Sequence, residues 1–131
     1  MPLFESGWGP HRDGLDTDFA GKLTDVYPDG RSMLIADGLI RCRYREGFDH
    51  QILLKPGNLT QIDIDLWSTS MIFNKGHRIR VAIASSNYPR FDLNPHTGWP
   101  GWPFGLAKPA HNQILCNQMH PSHILLPVIE R

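Results

Sequence analysis

The chain has 131 residues with thirteen basic and thirteen acidic side chains, so it carries no formal net charge. That length suits one domain with a core of its own, without help from disulfides or a metal. Electroneutrality removes the general reason to bind a polyanion or an acidic membrane surface, so neither a nucleic acid nor a membrane is an expected partner.

Residues 1–15 carry Gly7, Gly9, Pro10 and Gly14 among scattered apolar residues, which reads as an irregular N-terminal arm before a domain over 16–131. This start has neither the basic cluster nor the continuous apolar run of a signal peptide, and no apolar run in the chain is long enough to span a bilayer. A cytoplasmic location is therefore the expectation. Phe19 to Tyr27 is a predicted strand ended by the strong turn signal Pro28-Asp29-Gly30. Ser32 to Tyr44 follows, with Ala36-Asp37-Gly38 suggesting a bulge or bend between two short strands. Beyond it Ile40, Cys42 and Tyr44 alternate with Arg41, Arg43 and Arg45. Ile52 to Leu54 is a brief apolar piece stopped by Lys55-Pro56-Gly57, and Asn58-Leu59-Thr60 reads as a turn entering a strand rather than a glycosylation site.

Leu59 to Leu66 alternates, with Ile62, Ile64 and Leu66 opposite Gln61, Asp63 and Asp65. From His77 to Ala84 the β-branched residues Ile79, Val81 and Ile83 point one way, the signature of a half-buried strand. A long loop from Arg90 to Pro109 follows, then strands over Gln113 to Gln118 and Ser122 to Ile129. No stretch keeps a helical apolar period, so short strands with regular turn signals predict an all-β sandwich or barrel.

Chemistry is sparser. The arginines Arg41, Arg43, Arg45, Arg78 and Arg80 could form a phosphate-binding face. Pairing with Asp63 and Asp65 on a neighbouring polar face is the expected alternative, at roughly 0.2–1 kcal/mol per cross-strand pair. The His120-Pro-Ser-His123 spacing lacks a helix and further ligands, so no zinc site is expected. Asp13, Asp16, Asp18, Asp25 and Asp29 match no calcium loop and read as turn and capping residues. No Gly-x-Ser-x-Gly elbow is present, and His77 lies at the end of its strand away from Ser85-Ser86. Cys42 and Cys116 lack a Cys-x-x-Cys spacing and read most simply as buried free thiols, with a single bridge between them as the alternative. No catalytic residue, cofactor or metal is assigned. The candidate binding residues are Trp99, Trp102 and Phe104 on the proline-braced loop, with Tyr88 and Arg90 leading into it. Such aromatics could stack on a sugar ring or an acyl group, meet a partner protein, or fold back as a lid.

Several motifs occur in a specific order. They are Asp16-Thr-Asp-Phe19, the run from Lys22 to Arg31, Asp37-Gly38 with Arg41-Cys-Arg-Tyr-Arg45, and Gly76-His-Arg-Ile-Arg80. Ser85-Ser-Asn-Tyr-Pro-Arg-Phe-Asp92, Asn94-Pro95 and His120-Pro-Ser-His-Ile-Leu-Leu-Pro127 complete the set. Together they closely resemble the C-terminal domain of X-Pro dipeptidyl-peptidases, shared with cocaine-esterase-like acyl hydrolases and α-amino-acid ester hydrolases. The resemblance implies a jelly-roll β-sandwich of the galactose-binding-like type. It also implies a non-catalytic accessory role beside an α/β-hydrolase domain that holds the serine triad. Residues 1–15 match the family's first strand region poorly, so a missing N-terminal edge strand is expected, covered by the arm or by a second copy in a homodimer. The expected action is association with a hydrolase partner, on another chain if need be, or with itself. Binding of a carbohydrate or small molecule by the Trp99–Phe104 loop is the alternative.

Overall fold

The computed structural model describes residues 3–7, 15–98 and 107–129. The hairpin that organises the fold is β2 (Asp18–Val26) with β3 (Ser32–Arg41), antiparallel throughout. Its turn is closed by Tyr27 N–H donating to Arg31 O at 2.9 Å and Gly30 N–H donating to Tyr27 O at 3.0 Å. Gly30 sits at φ 91°, a left-handed conformation that glycine adopts without a Cβ penalty. The strand β5 (Arg78–Ala84) pairs with the other side of β2, giving a sheet in the order β3-β2-β5.

The second sheet has the order β4-β1-β6, built from β1 (Leu3–Gly7), β4 (Leu59–Gln61) and β6 (His111–Leu115). Leu3–Gly7 is thus a central strand where composition suggested an irregular arm and a missing edge strand. Five residues flanked by glycines and prolines are too short a run to show their period against that background.

The two sheets meet over a small core. Phe19, Cys42, Leu54 and Ile62 are buried together, and Ile40, Ile64 and Ile83 pack against them. Asn112 on β6 reaches across to donate to Thr17 Oγ1 at 2.9 Å. The chain is an all-β sandwich, and no α-helix occurs among the described residues.

Three details differ from the sequence reading. First, β3 runs straight through Ala36-Asp37-Gly38; the irregularity lies at Ile35, since Leu23 faces Ala36 while Thr24 faces Leu34. Gly38 serves close approach instead, because a Cβ there would lie 1.9 Å from Asp65 O. Second, the alternation after Arg41 is a 3-10 turn, Cys42–Tyr44, and not a strand. Third, residues 122–129 form no strand, although Ser122, Ile124 and Leu126 are half-buried between exposed His123 and Leu125. Pro121 and Pro127 bracket that stretch and supply no N–H for a ladder.

Candidate functional site

The spacing of two short motifs dictates the best-organised polar site. Asp18 faces Arg41 directly in the β2–β3 register, and Cys42 N–H donates to Thr17 O at 2.9 Å one step further out. Antiparallel pairing therefore sets the aspartates at 16 and 18 against the arginines at 43 and 41. Arg41 grips Asp18 with two parallel bonds, Nε to Oδ1 at 3.0 Å and Nη2 to Oδ2 at 2.9 Å. Arg43 donates its backbone N–H to Asp16 Oδ1 at 2.8 Å and its Nε to Oδ2 at 2.6 Å. Asp16 is wholly buried and the Arg43 side chain is 4 % exposed, so this pair is held out of water.

Asn94 completes the cluster. Its Nδ2 donates to Asp16 Oδ2 at 2.8 Å and to Asp18 Oδ1 at 2.6 Å, and its Oδ1 accepts from His96 N–H at 2.9 Å. The result is two carboxylates, two guanidiniums and one bridging amide, electrically balanced and mutually satisfied. The hydrogen bonds Arg41 donates to Asp18 hold its guanidinium firmly protonated, its pKa raised above the ordinary value. Burial pushes His96 below the usual imidazole range, and it drives the Cys42 thiol far above the range in which thiolate forms.

The cluster also anchors the segment leading to the aromatic loop. Beyond Asn94, Lys108 N–H donates to Pro95 O at 3.1 Å and closes the neck of that loop. Trp99, Trp102 and Phe104 lie outside the described residues. Tyr88, in a cis peptide with Pro89, is 68 % exposed. The Arg90 guanidinium bonds to buried Asp37, which also accepts from Asn87 Nδ2 at 2.7 Å.

The expected pairing of the arginines with Asp63 and Asp65 does not occur. Arg41 and Arg43 turn to Asp18 and Asp16, while Arg45 meets Glu46 and donates to Ile52 O at 2.5 Å. Arg78 and Arg80 form no ion pair among the described residues. Asp65 instead accepts from Trp67 N–H at 2.7 Å. The missed signal is the matched spacing itself, Asp-x-Asp against Arg-x-Arg on segments joined by one hairpin.

His77 Nδ1 bonds to Asp25 at 2.8 Å at one end of β5, while Ser85 follows the other end. His50 is bonded to Asp49 and His123 to the Pro121 carbonyl, and neither of these bonds is to a nucleophile. Asp16, Asp18, Asp25 and Asp29 are each bonded to a basic side chain, and no cluster of three or more His, Cys, Asp or Glu placed to hold a metal ion occurs among the described residues. Both cysteines are free thiols, Cys42 buried and Cys116 exposed. A cavity of about 10 Å3 between Phe19, Cys42, Ile62 and Asn112 is far too small for an organic ligand. No helix among the described residues is long and apolar enough to cross a membrane.

Comparison with known proteins places this geometry. Residues 11–125 match the family model of the X-Pro dipeptidyl-peptidase C-terminal non-catalytic domain. The chain is 44 % identical over 119 residues to the cocaine esterase of Rhodococcus sp. (strain MB1 Bresler), covering 89 % of this chain and 21 % of that protein. Among solved structures, an aminopeptidase from a marine sediment Thaumarchaeota archaeon superposes with a TM-score of 0.80 at 28 % identity, covering 92 % of this chain and 21 % of that one. An α-amino acid ester hydrolase gives a TM-score of 0.69 at 26 % identity, covering 86 % of this chain and 19 % of that one. The chain thus spans about a fifth of the length of these relatives. With the motifs, the sandwich and the family match in agreement, this chain belongs to the X-Pro dipeptidyl-peptidase C-terminal non-catalytic domain family.

Proposed function

We propose that this chain acts by docking onto the α/β-hydrolase part of a serine esterase or peptidase, as an accessory domain without chemistry of its own. The observation that carries this reading is a contrast within the structure. The strongest polar groups, Asp16, Asp18, Arg41, Arg43 and Asn94, are consumed by one another. The exposed surface, in contrast, is rich in large apolar side chains: Phe48 is 86 % exposed, Trp67 76 % and Leu125 82 %. A surface of that kind fits association with protein. Relatives of which the same domain is about a fifth supply the obvious class of partner.

The test uses the Rhodococcus cocaine esterase shortened by its matching fifth and mixed with this chain. Size exclusion with light scattering should show a stoichiometric complex. Two species that elute separately would sink the docking reading, and a dimer of this chain alone would favour self-association.

A second reading has one observation in its favour. The backbone bond between Pro95 and Lys108, backed by Asn94 on its carboxylates, fixes both feet of the loop carrying Trp99, Trp102 and Phe104. Fixed ends suit a loop that stacks its aromatics on a sugar ring or an acyl group. Titration with neutral oligosaccharides and aromatic esters, followed by indole emission, decides it: a spectrum unmoved across the panel removes this reading.

A further inference from the structure

Outside the cluster, the least expected residue in the fold is Trp67. It has φ 64°, in the left-handed region that a bulky L-residue seldom enters. The segment leading to it is clamped to the sheet. Ile62 is buried, Ile64 and Leu66 are half-buried, and Asp63 and Asp65 face outward. Gly38 and Gly21 face each other across β3 and β2 and make room for this segment. A Cβ on Gly38 would meet Asp65 O at 1.9 Å, and one on Gly21 would meet Leu66 Cδ2 at 3.1 Å. Asp65 Oδ1 then accepts the Trp67 N–H at 2.7 Å and holds the left-handed turn.

All this order delivers an indole to solvent. Trp67 is 76 % exposed, and the chain beyond it carries Ser68, Thr69 and Ser70, all exposed, then Met71 at 40 % and Ile72 at 60 %. The core makes no use of the ring. A backbone conformation costly to a tryptophan, kept only to present its side chain outward, is what a preorganised anchor requires. Tryptophan is also the side chain most enriched where binding energy concentrates, inside a rim of polar groups.

We infer that Trp67 is the anchor by which this chain docks on the hydrolase part. This rests on the docking reading above and names the surface through which it operates. The character of the complementary site follows from charge. Asp63 and Asp65 are exposed on the segment that leads to Trp67, so the complementary site is an apolar cleft with basic or N–H-donating groups at its rim.

The decisive variant is Trp67→Gly, because glycine is at ease at φ 64° while the ring is lost. Binding to the shortened Rhodococcus cocaine esterase, used only once its own cooperative melting transition shows it folded, would be measured by calorimetry, with Phe48→Ala as the comparison at another exposed aromatic. Thermal melting of each free variant reports on folding. Trp67→Gly should melt at or above the parent temperature yet bind about tenfold or more weakly, with Phe48→Ala within about threefold of the parent. Asp65→Ala, which frees the turn but keeps the ring, should weaken binding by an intermediate factor. If the parent binds and Trp67→Gly binds equally well, the anchor is overturned and docking stands. An equal loss in Trp67→Gly and Phe48→Ala overturns it too, since no single anchor then exists. No binding by the parent removes docking and anchor together.

Discussion

Asp16 is the residue on which most other groups depend. It takes two bonds from Arg43 and one from Asn94 while excluded from water, so its removal leaves a buried guanidinium without its carboxylate and an amide with one acceptor fewer. Breaking a buried pair from one side typically costs about 3–5 kcal/mol. Asp16→Ala should lose stability on that scale in urea unfolding, whereas Asp29→Ala, at an exposed and solvent-screened pair with Arg31, should unfold at nearly the parent midpoint. Equal losses would show that burial of the Asp16 pair carries no special weight. The sequence displays every member of this cluster, but composition alone assigns Arg41 and Arg43 to the wrong carboxylates. A count of charges on polar faces ignores that a hairpin sets its own register. Placing the Pro28-Asp29-Gly30 turn is not enough: counted from Val26 opposite Ser32, Asp18 would face Ile40, and only the extra residue at Ile35 brings it opposite Arg41. Asn94 is harder to foresee, because nothing local marks a lone amide some fifty residues beyond the arginines as their neighbour.

Among the elements, β2, β3 and β5 are legible from period and turn signals, but β5 does not bury the face its period marks: Ile79 is 50 % and Val81 40 % exposed, while Ile83 packs against the core. The stretch 59–66 teaches a subtler lesson. Its alternation in burial continues to Leu66, yet ladder pairing stops at Gln61, so periodicity reported the buried face and not the hydrogen bonds. What replaces the ladder is contact between Asp65 and Gly38. Gly38→Ala puts a methyl group where the Asp65 carbonyl lies, and backbone cannot swing aside as a side chain does. We expect a loss of at least about 1–3 kcal/mol. Gly57→Ala is the control, with open space around it but φ 78°, so that only local backbone strain is felt. Chemical unfolding of the two variants gives the comparison, and a milder effect at Gly38 than at Gly57 would contradict the proposed contact. The strand Leu3–Gly7 and the unpaired stretch 122–129 were misjudged for opposite reasons: one is too short to show a period, the other shows a period that its prolines prevent from pairing.

At the scale of the whole molecule, pH should act through the same cluster. Burial depresses the His96 pKa below its ordinary 6.5, so between the folded value and about 6.5 the unfolded chain binds more protons than the folded one. The resulting stability is present above that window and lost as pH falls through it. His96→Asn, which tolerates the positive φ at this position, should flatten the decline in melting temperature between about pH 7.5 and pH 5.5. An unchanged slope would assign the acid sensitivity to other groups. The domain's relation to its far longer relatives was legible because its motifs are specific and spread along the chain, whereas surfaces used for docking leave no such pattern. The joint between Pro95 and Lys108 has a practical consequence. Since the two feet are already tethered backbone to backbone, the span between them is a natural splice site for foreign peptides. Lengthening an insert there should cost only about 0.6 kcal/mol per doubling, which makes the sandwich a candidate display scaffold.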